Sequence, residues 1–283
     1  MKLQKFIRLS EEEVVNYDFK NESPTSAVQM ESHPVKKFFL YRKDYQEKAK
    51  KAKFDCDGCN LILEIHANVY SNKKLEYLDS DTMNSFYSTY RLLLRSFDKS
   101  FWDNDIITFC NKRGIDFNNV NNKNKKYLLR YDWLLSERVF NHYTEINNLP
   151  EVKRFATLTH TLGNMTLLPK GYNVGRATPT KDYWDLTLIS LQNFLGSTFD
   201  NFVTDYHMQD FTADAIEFWE GHSLEYPLPD SFDRNNVNKL NQAQKDEIVY
   251  KRILEFMQKV NVRIEKRSKR LFIALKEKER CLC

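Results

Sequence analysis

His160, Asn164 and Asn173 stand close together in a chain of 283 residues, and their types suit metal-assisted phosphodiester chemistry. A neutral imidazole can take a proton from water, while amide oxygens can hold a divalent cation against a phosphate. In that account His160, Asn164 and Asn173 surround the cation and His66 is the base. A second account uses the same residues: Gly163 and Asn164 turn the chain between buried segments, and His160 is a hydrogen-bonded structural residue. Cys56-Asp57-Gly58-Cys59 has the spacing of half a zinc site, with His66 seven residues on as a third ligand. No second Cys-x-x-Cys follows and no fourth ligand is evident, so a turn at Asp57-Gly58 is the simpler explanation. Cys281-Leu282-Cys283 closes the chain. Two thiols at i and i+2 are badly placed to bridge each other, so they suit bonds between copies, a soft metal, or no bond at all.

The elements that must hold these residues are mostly helical. Ser10 and Glu13 fit a capping box. Val14 to Phe19 and Leu61 to His66 have strand-like content, and residues 41–53 form a charged helical stretch. Asp79, Ser80 or Asp81 can cap a helix carrying Met83, Phe86, Tyr90, Leu93 and Leu94, and Asp103 to Cys110 continues the helical pattern. The polar run at 118–126 reads as a loop or boundary. It divides a mixed α/β region, 1–117, from a helical region, 127–283, although one continuous core is equally compatible. Helices are expected at Tyr183–Phe194 and Thr212–Trp219, with a break at Pro227 and Pro229. Ile253, Met257, Val260, Ile264, Leu271 and Leu275 form one long helical stripe at the C-terminus. The expected class is α+β, predominantly helical, with a small strand-containing N-terminal part and a long C-terminal helix.

Seven glycines and seven prolines are about 5% of the chain against roughly 12% on average, which favours long elements. A formal charge of +4 argues against a general nucleic-acid coat. Eight Lys or Arg against three Glu lie between Arg263 and Arg280. With no aromatic interleaving beyond Phe272, that face reads as solvated or interfacial, and direct nucleic-acid binding is not expected. There is no membrane-length apolar run and no secretory h-region. A reducing cytoplasm is therefore expected, where five cysteines are not a disulfide framework. Walker, Gly-x-Ser-x-Gly and dinucleotide-binding patterns are absent.

Thr159-His160-Thr161-Leu162-Gly163-Asn164-Met165-Thr166-Leu167-Leu168-Pro169 resembles the Leu-Gly-Asn-Leu-Thr-Leu-Leu segment in the HNH-like nuclease domain of GmrSD-type endonucleases. That resemblance implies an upstream His-Ile-x-Pro base, for which Glu64-Ile65-His66-Ala67 is the nearest substitute. The order Leu-Gly-Asn, Asn173, Arg176, Asp185-Leu186-Thr187-Leu188 and an Arg263-containing terminal helix also resembles a bacterial domain family without assigned activity. In size and in its Cys281-Leu282-Cys283 ending, the chain resembles the Gabija anti-defence proteins of phages. Its Asn- and Lys-heavy segments suit a phage or AT-rich bacterial origin. This last resemblance implies a non-enzymatic protein of the host cytoplasm without cofactor. It would bind the bacterial Gabija nuclease–ATPase complex, assemble with its own copies through Cys281 and Cys283, and keep the complex from DNA. The alternative is a divergent HNH-like metal-dependent nuclease.

Overall fold

The computed structural model describes residues 1–22, 56–70, 78–116, 133–134, 136–172, 184–212, 219–220, 228–229 and 240–282. The expected helical stretch at 41–53, the polar run at 118–126, and Asn173, Arg176, Pro227 and Cys283 lie outside them.

The chain opens with α1 (Leu3–Ile7) and α2 (Glu11–Asn16). The predicted capping box starts α2: Ser10 Oγ accepts from Glu13 N, and the Glu13 carboxylate accepts from Ser10 N. α3 (Asn60–Val69) follows a 3-10 turn at Cys56–Gly58. Strand β1 (Leu78–Thr82) leads into α4 (Phe86–Phe97) and α5 (Lys99–Asn111). Asp98 joins these two helices and caps α5, its carboxylate accepting from Phe101 N at 2.8 Å. Next come α6 (Glu137–His142), α7 (Thr144–Asn147) and α8 (Pro150–Leu158), the last with proline in its first turn. A 3-10 turn, Leu162–Asn164, delivers the chain into β2 (Met165–Pro169). α9 (Trp184–Leu195), α10 (Phe199–Asp205) and α11 (Gln209–Thr212) follow. A minor pair, β3 (Trp219–Glu220) and β4 (Leu228–Pro229), precedes α12 (Gln242–Leu282), a helix of 41 residues. At 1.5 Å per residue α12 is about 60 Å long.

β1 and β2 pair antiparallel, Leu78 against Pro169 through Thr82 against Met165, so the main sheet joins chain segments on opposite sides of the 118–126 run. α12 does the same for the helices: it packs on α2, α3, α4, α8 and α11 and on the Leu162–Asn164 turn. One hydrophobic cluster holds Phe6, Ile62, Leu93, Phe155, Leu168, Phe211 and Ile264 together. Every residue of the predicted stripe, Ile253, Met257, Val260, Ile264, Leu271 and Leu275, is buried. The stripe is interrupted between Ile264 and Leu271 by Arg267 and Ser268, both fully buried.

Two expected strands are helices instead. Val14 and Val15 lie in α2, because the capping box nucleates a turn that outweighs the β preference of two valines. Leu61, Ile62, Ile65, His66 and Val69 are the buried side of α3, a 3–4 spacing that content alone hid. Asp79, Ser80 and Asp81 do not cap a helix; they form β1, held by its ladder to β2, and the helix begins later, at Phe86. Of the helix expected at Thr212–Trp219, residues 213–218 lie outside the described ones; Thr212 closes α11 and Trp219 lies in β3.

Gly163 sits where the Leu162–Asn164 turn crosses α12. A Cβ there would meet the Ile264 carbonyl oxygen at 1.9 Å and Ser268 Oγ at 2.6 Å, so backbone would have to move. Gly163→Ala should lower the free energy of unfolding by about 3 kcal/mol in denaturant titrations. Gly58→Ala, where nothing lies within 4 Å of the added carbon, should change it by about 0.5 kcal/mol or less.

Candidate functional site

The Leu-Gly-Asn segment is the centre of a buried polar knot. Asn164 is fully buried, and all four hydrogen-bonding positions of its amide are filled. Its Oδ1 accepts from Asn84 N and Asn84 Nδ2, each at 3.0 Å. Its Nδ2 donates to the carbonyl oxygens of Asn84 at 2.9 Å and Thr159 at 2.7 Å. The Asn164 carbonyl also accepts from Met83 N at 2.8 Å, so the turn is stitched to the start of α4. His160 is fully buried, and its carbonyl accepts from Phe19 N at 3.0 Å. These residues form the turn between buried segments that was the second account of the motif.

Gly163 supplies the other half of the knot. Its N–H donates to Ser268 Oγ at 2.8 Å, and its carbonyl accepts from Arg267 Nη1 at 2.8 Å. The Arg267 guanidinium also donates to the carbonyls of Met165 at 2.5 Å, His207 at 2.9 Å and Tyr206 at 3.3 Å. Tyr206 and His207 end α10, and a cation at a helix C-terminus is favoured by the helix dipole. His207 has φ 52, and Met208 N reaches back to Val203 O at 2.8 Å, the closing bond of a Schellman cap. Burial lowers the Arg267 pKa, opposed by the charges of Tyr70 and Asp210. One turn further, Arg270 holds Asp210 with two bonds, at 2.8 and 3.0 Å. Sequence reasoning passed over Arg267, Ser268 and Asn84. The available signal was the pair of polar residues in the middle of an otherwise apolar stripe.

His66 projects from α3 into the core, 2% exposed, with its ring 5.6 Å from that of Tyr70. Neither ring nitrogen has a hydrogen-bond partner among the described residues. Burial, reinforced by the charge of Arg267, pushes its pKa down to about 3, so it is a neutral core residue at pH 7. Cys56 and Cys59 are buried, and burial pushes the Cys59 thiol up. No group of three His, Cys, Asp or Glu residues among those described is arranged to hold a metal ion, and this includes Cys56, Cys59 and His66. The strand paired with the Leu-Gly-Asn-Met-Thr-Leu-Leu segment is β1, Leu-Asp-Ser-Asp-Thr, which carries no histidine. His66 therefore lies on a helix, outside the strand pair. Cys281 is a free, exposed thiol in the last turn of α12. No described helix is long and apolar enough to cross a membrane.

Comparison of the chain with family models, with curated proteins and with solved structures gives no match.

Two outcomes follow from this knot. Asn164→Ala removes the four hydrogen bonds that its amide makes to Asn84 and the Thr159 carbonyl and should cost about 3 kcal/mol in chemical unfolding. His66 binds its proton at pH 6.5 when unfolded and near pH 3 when folded, so the unfolded state takes up more protons across that window. Stability from this residue is therefore lost as the pH falls from about 6.5 towards 3. Urea titrations at pH 7 and pH 4 should show about 3 kcal/mol of this loss in the native chain and its absence in His66→Leu.

Proposed function

We propose that this chain is a phage anti-defence protein that binds and covers the bacterial Gabija nuclease–ATPase complex in the host cytoplasm, breaking no bond itself. The observation that carries the non-catalytic part is the Asn164 amide. Its two acceptor and two donor positions are committed to Asn84 and Thr159, so it has no lone pair left for a cation. A metal-dependent nuclease built on the Leu-Gly-Asn segment needs an open ligand position and a titratable base. His66 is buried, with its pKa near 3, and β1 supplies no histidine in its stead. The target is proposed from the resemblance of the Cys281-Leu282-Cys283 motif to the Gabija anti-defence proteins.

Blocking by coverage needs area and persistence. α12 presents Cys281 at the end of a helix anchored along most of its length by buried residues, so the thiol is both exposed and held in place. Bonds between copies at Cys281 and Cys283 would convert separate contacts into one multivalent cover. Each such bond removes two electrons and two protons from a thiol pair, which thiol–disulfide exchange with oxidised glutathione can accept.

Tagged protein co-expressed with the Gabija complex should co-purify as a large assembly in native mass measurements. Reductant, or Cys281→Ser together with Cys283→Ser, should loosen the assembly without unfolding the monomer. A chain that ignores the complex, and that cuts DNA when given Mg²⁺ or Mn²⁺, would sink this reading in favour of the nuclease.

A further inference from the structure

A groove of about 690 Å³ opens between the α4–α5 junction and the first turns of α12, far from the polar knot's interior and at the opposite end of α12 from Cys281. Its floor is aromatic. Phe97 is 37% exposed and lies 5.6 Å from the ring of Tyr250. A phenylalanine left open beside a tyrosine is an unfilled apolar contact, the kind that interface anchors occupy. Carboxylates ring this floor: Asp98 and Asp103 on the α5 side, Asp246 and Glu247 on the α12 side, with Lys99 the one cation among the lining residues.

These carboxylates differ in how far their charge is already met. Asp103 is paired with Lys99 and approached by Arg95 at 3.7 Å, and Asp98 holds His142 at 2.9 Å. Asp246 receives a hydrogen bond from the neutral amide of Gln242 at 2.9 Å and has no cation among the described residues. Glu247 pairs with Lys251 at 2.7 Å, but both side chains are more than three-fifths exposed, a contact that solvent screens and a competitor can replace. The open charge thus lies on the α12 side, among the residues that line the groove with Phe97 and Tyr250.

Aromatic faces flanked by unmet carboxylates fit one side-chain chemistry well. Lys and Arg lay their aliphatic stems on apolar surface and their charged heads against carboxylates, and a guanidinium also stacks on an aromatic ring. We infer that this groove takes Lys and Arg side chains from a basic, nucleic-acid-engaging surface of the partner protein that the chain covers. A surface that contacts DNA neutralises phosphates with Lys and Arg, so it presents the complement of this groove. Occupying those side chains would remove them from DNA, and a cover seated there competes with the nucleic acid directly. The inference deepens the proposed function and rests on it for the identity of the partner.

The test uses the full chain, its Asp246→Asn/Glu247→Gln double variant and Phe97→Ala. Glu12→Gln, an exposed carboxylate outside the groove, serves as control. Binding is measured to the purified Gabija complex and, separately, to a fluorescein-labelled nona-arginine peptide, with melting temperatures compared throughout. Both groove variants should keep the native melting temperature within a few degrees and lose about tenfold in affinity for complex and peptide alike; Asp246→Asn/Glu247→Gln should also lose most of the native salt dependence, and Phe97→Ala should retain it. Native affinity for the complex that the groove variants leave unchanged would overturn this inference and leave the proposed function standing. A chain that ignores the complex but binds the peptide in a groove-dependent way would overturn the proposed partner and support the groove as a site for basic segments. Binding to neither would overturn both.

Discussion

The backbone of the Leu162–Asn164 turn comes so close to α12 that no side chain fits between them, and two other segments are ordered by that approach. Gly163 touches the helix backbone at Ile264 and exchanges hydrogen bonds with Ser268 and Arg267. Arg267 in turn closes the C-terminus of α10, and Asn164 ties the turn to Asn84 at the start of α4. Residues 84, 164, 207 and 267 are remote in the chain yet share one network. Apolar contacts alone would let the long helix slide or rotate by a turn at modest cost. A polar knot that is satisfied in one arrangement only forbids it, since a one-turn shift strands a buried guanidinium.

This use of polar groups decides where function can lie. Metal-assisted hydrolysis needs ligands with free lone pairs and a base that titrates near the working pH. Here the amide that matches a ligand is saturated by Asn84 and the Thr159 carbonyl, and the imidazole proposed as base is held neutral by burial beside Arg267. Arg267 itself meets carbonyls rather than carboxylates, so it closes a helix and offers its charge to no ligand. This knot specifies one structure. Among the described residues the two ends of α12 carry groups that ordinary solvated helix does not: a groove with an exposed Phe97 and carboxylates at one, an exposed thiol at the other.

α12 separates these features by nearly its whole length, about 60 Å. A rod held along its flank by α2, α3, α4, α8 and α11 keeps that separation constant. In the proposed function, contact with a target at one end and attachment between copies at the other would be geometrically independent, as a cover built from several copies requires.

The helical period of α12 and the Ser10–Glu13 capping box were legible in the residues, because both are local: one needs only 3–4 spacing, the other a hydroxyl three positions before a carboxylate. The α+β class followed from the same patterns with few glycines and prolines. Of the strand-like runs at Val14–Phe19 and Leu61–His66, the first begins inside α2 and the second lies wholly in α3, since short apolar runs carry too little periodicity to choose between strand and helix. The pairing of β1 with β2 spans more than eighty residues, and nothing in Leu-Asp-Ser-Asp-Thr announces its partner. The roles of Asn164, His66 and Arg267 were equally hidden. An asparagine can ligate a cation or close a turn, and a histidine can be a base or core. The choice belongs to burial and to which remote groups fill the hydrogen-bonding positions, and those are settled only when distant segments pack together.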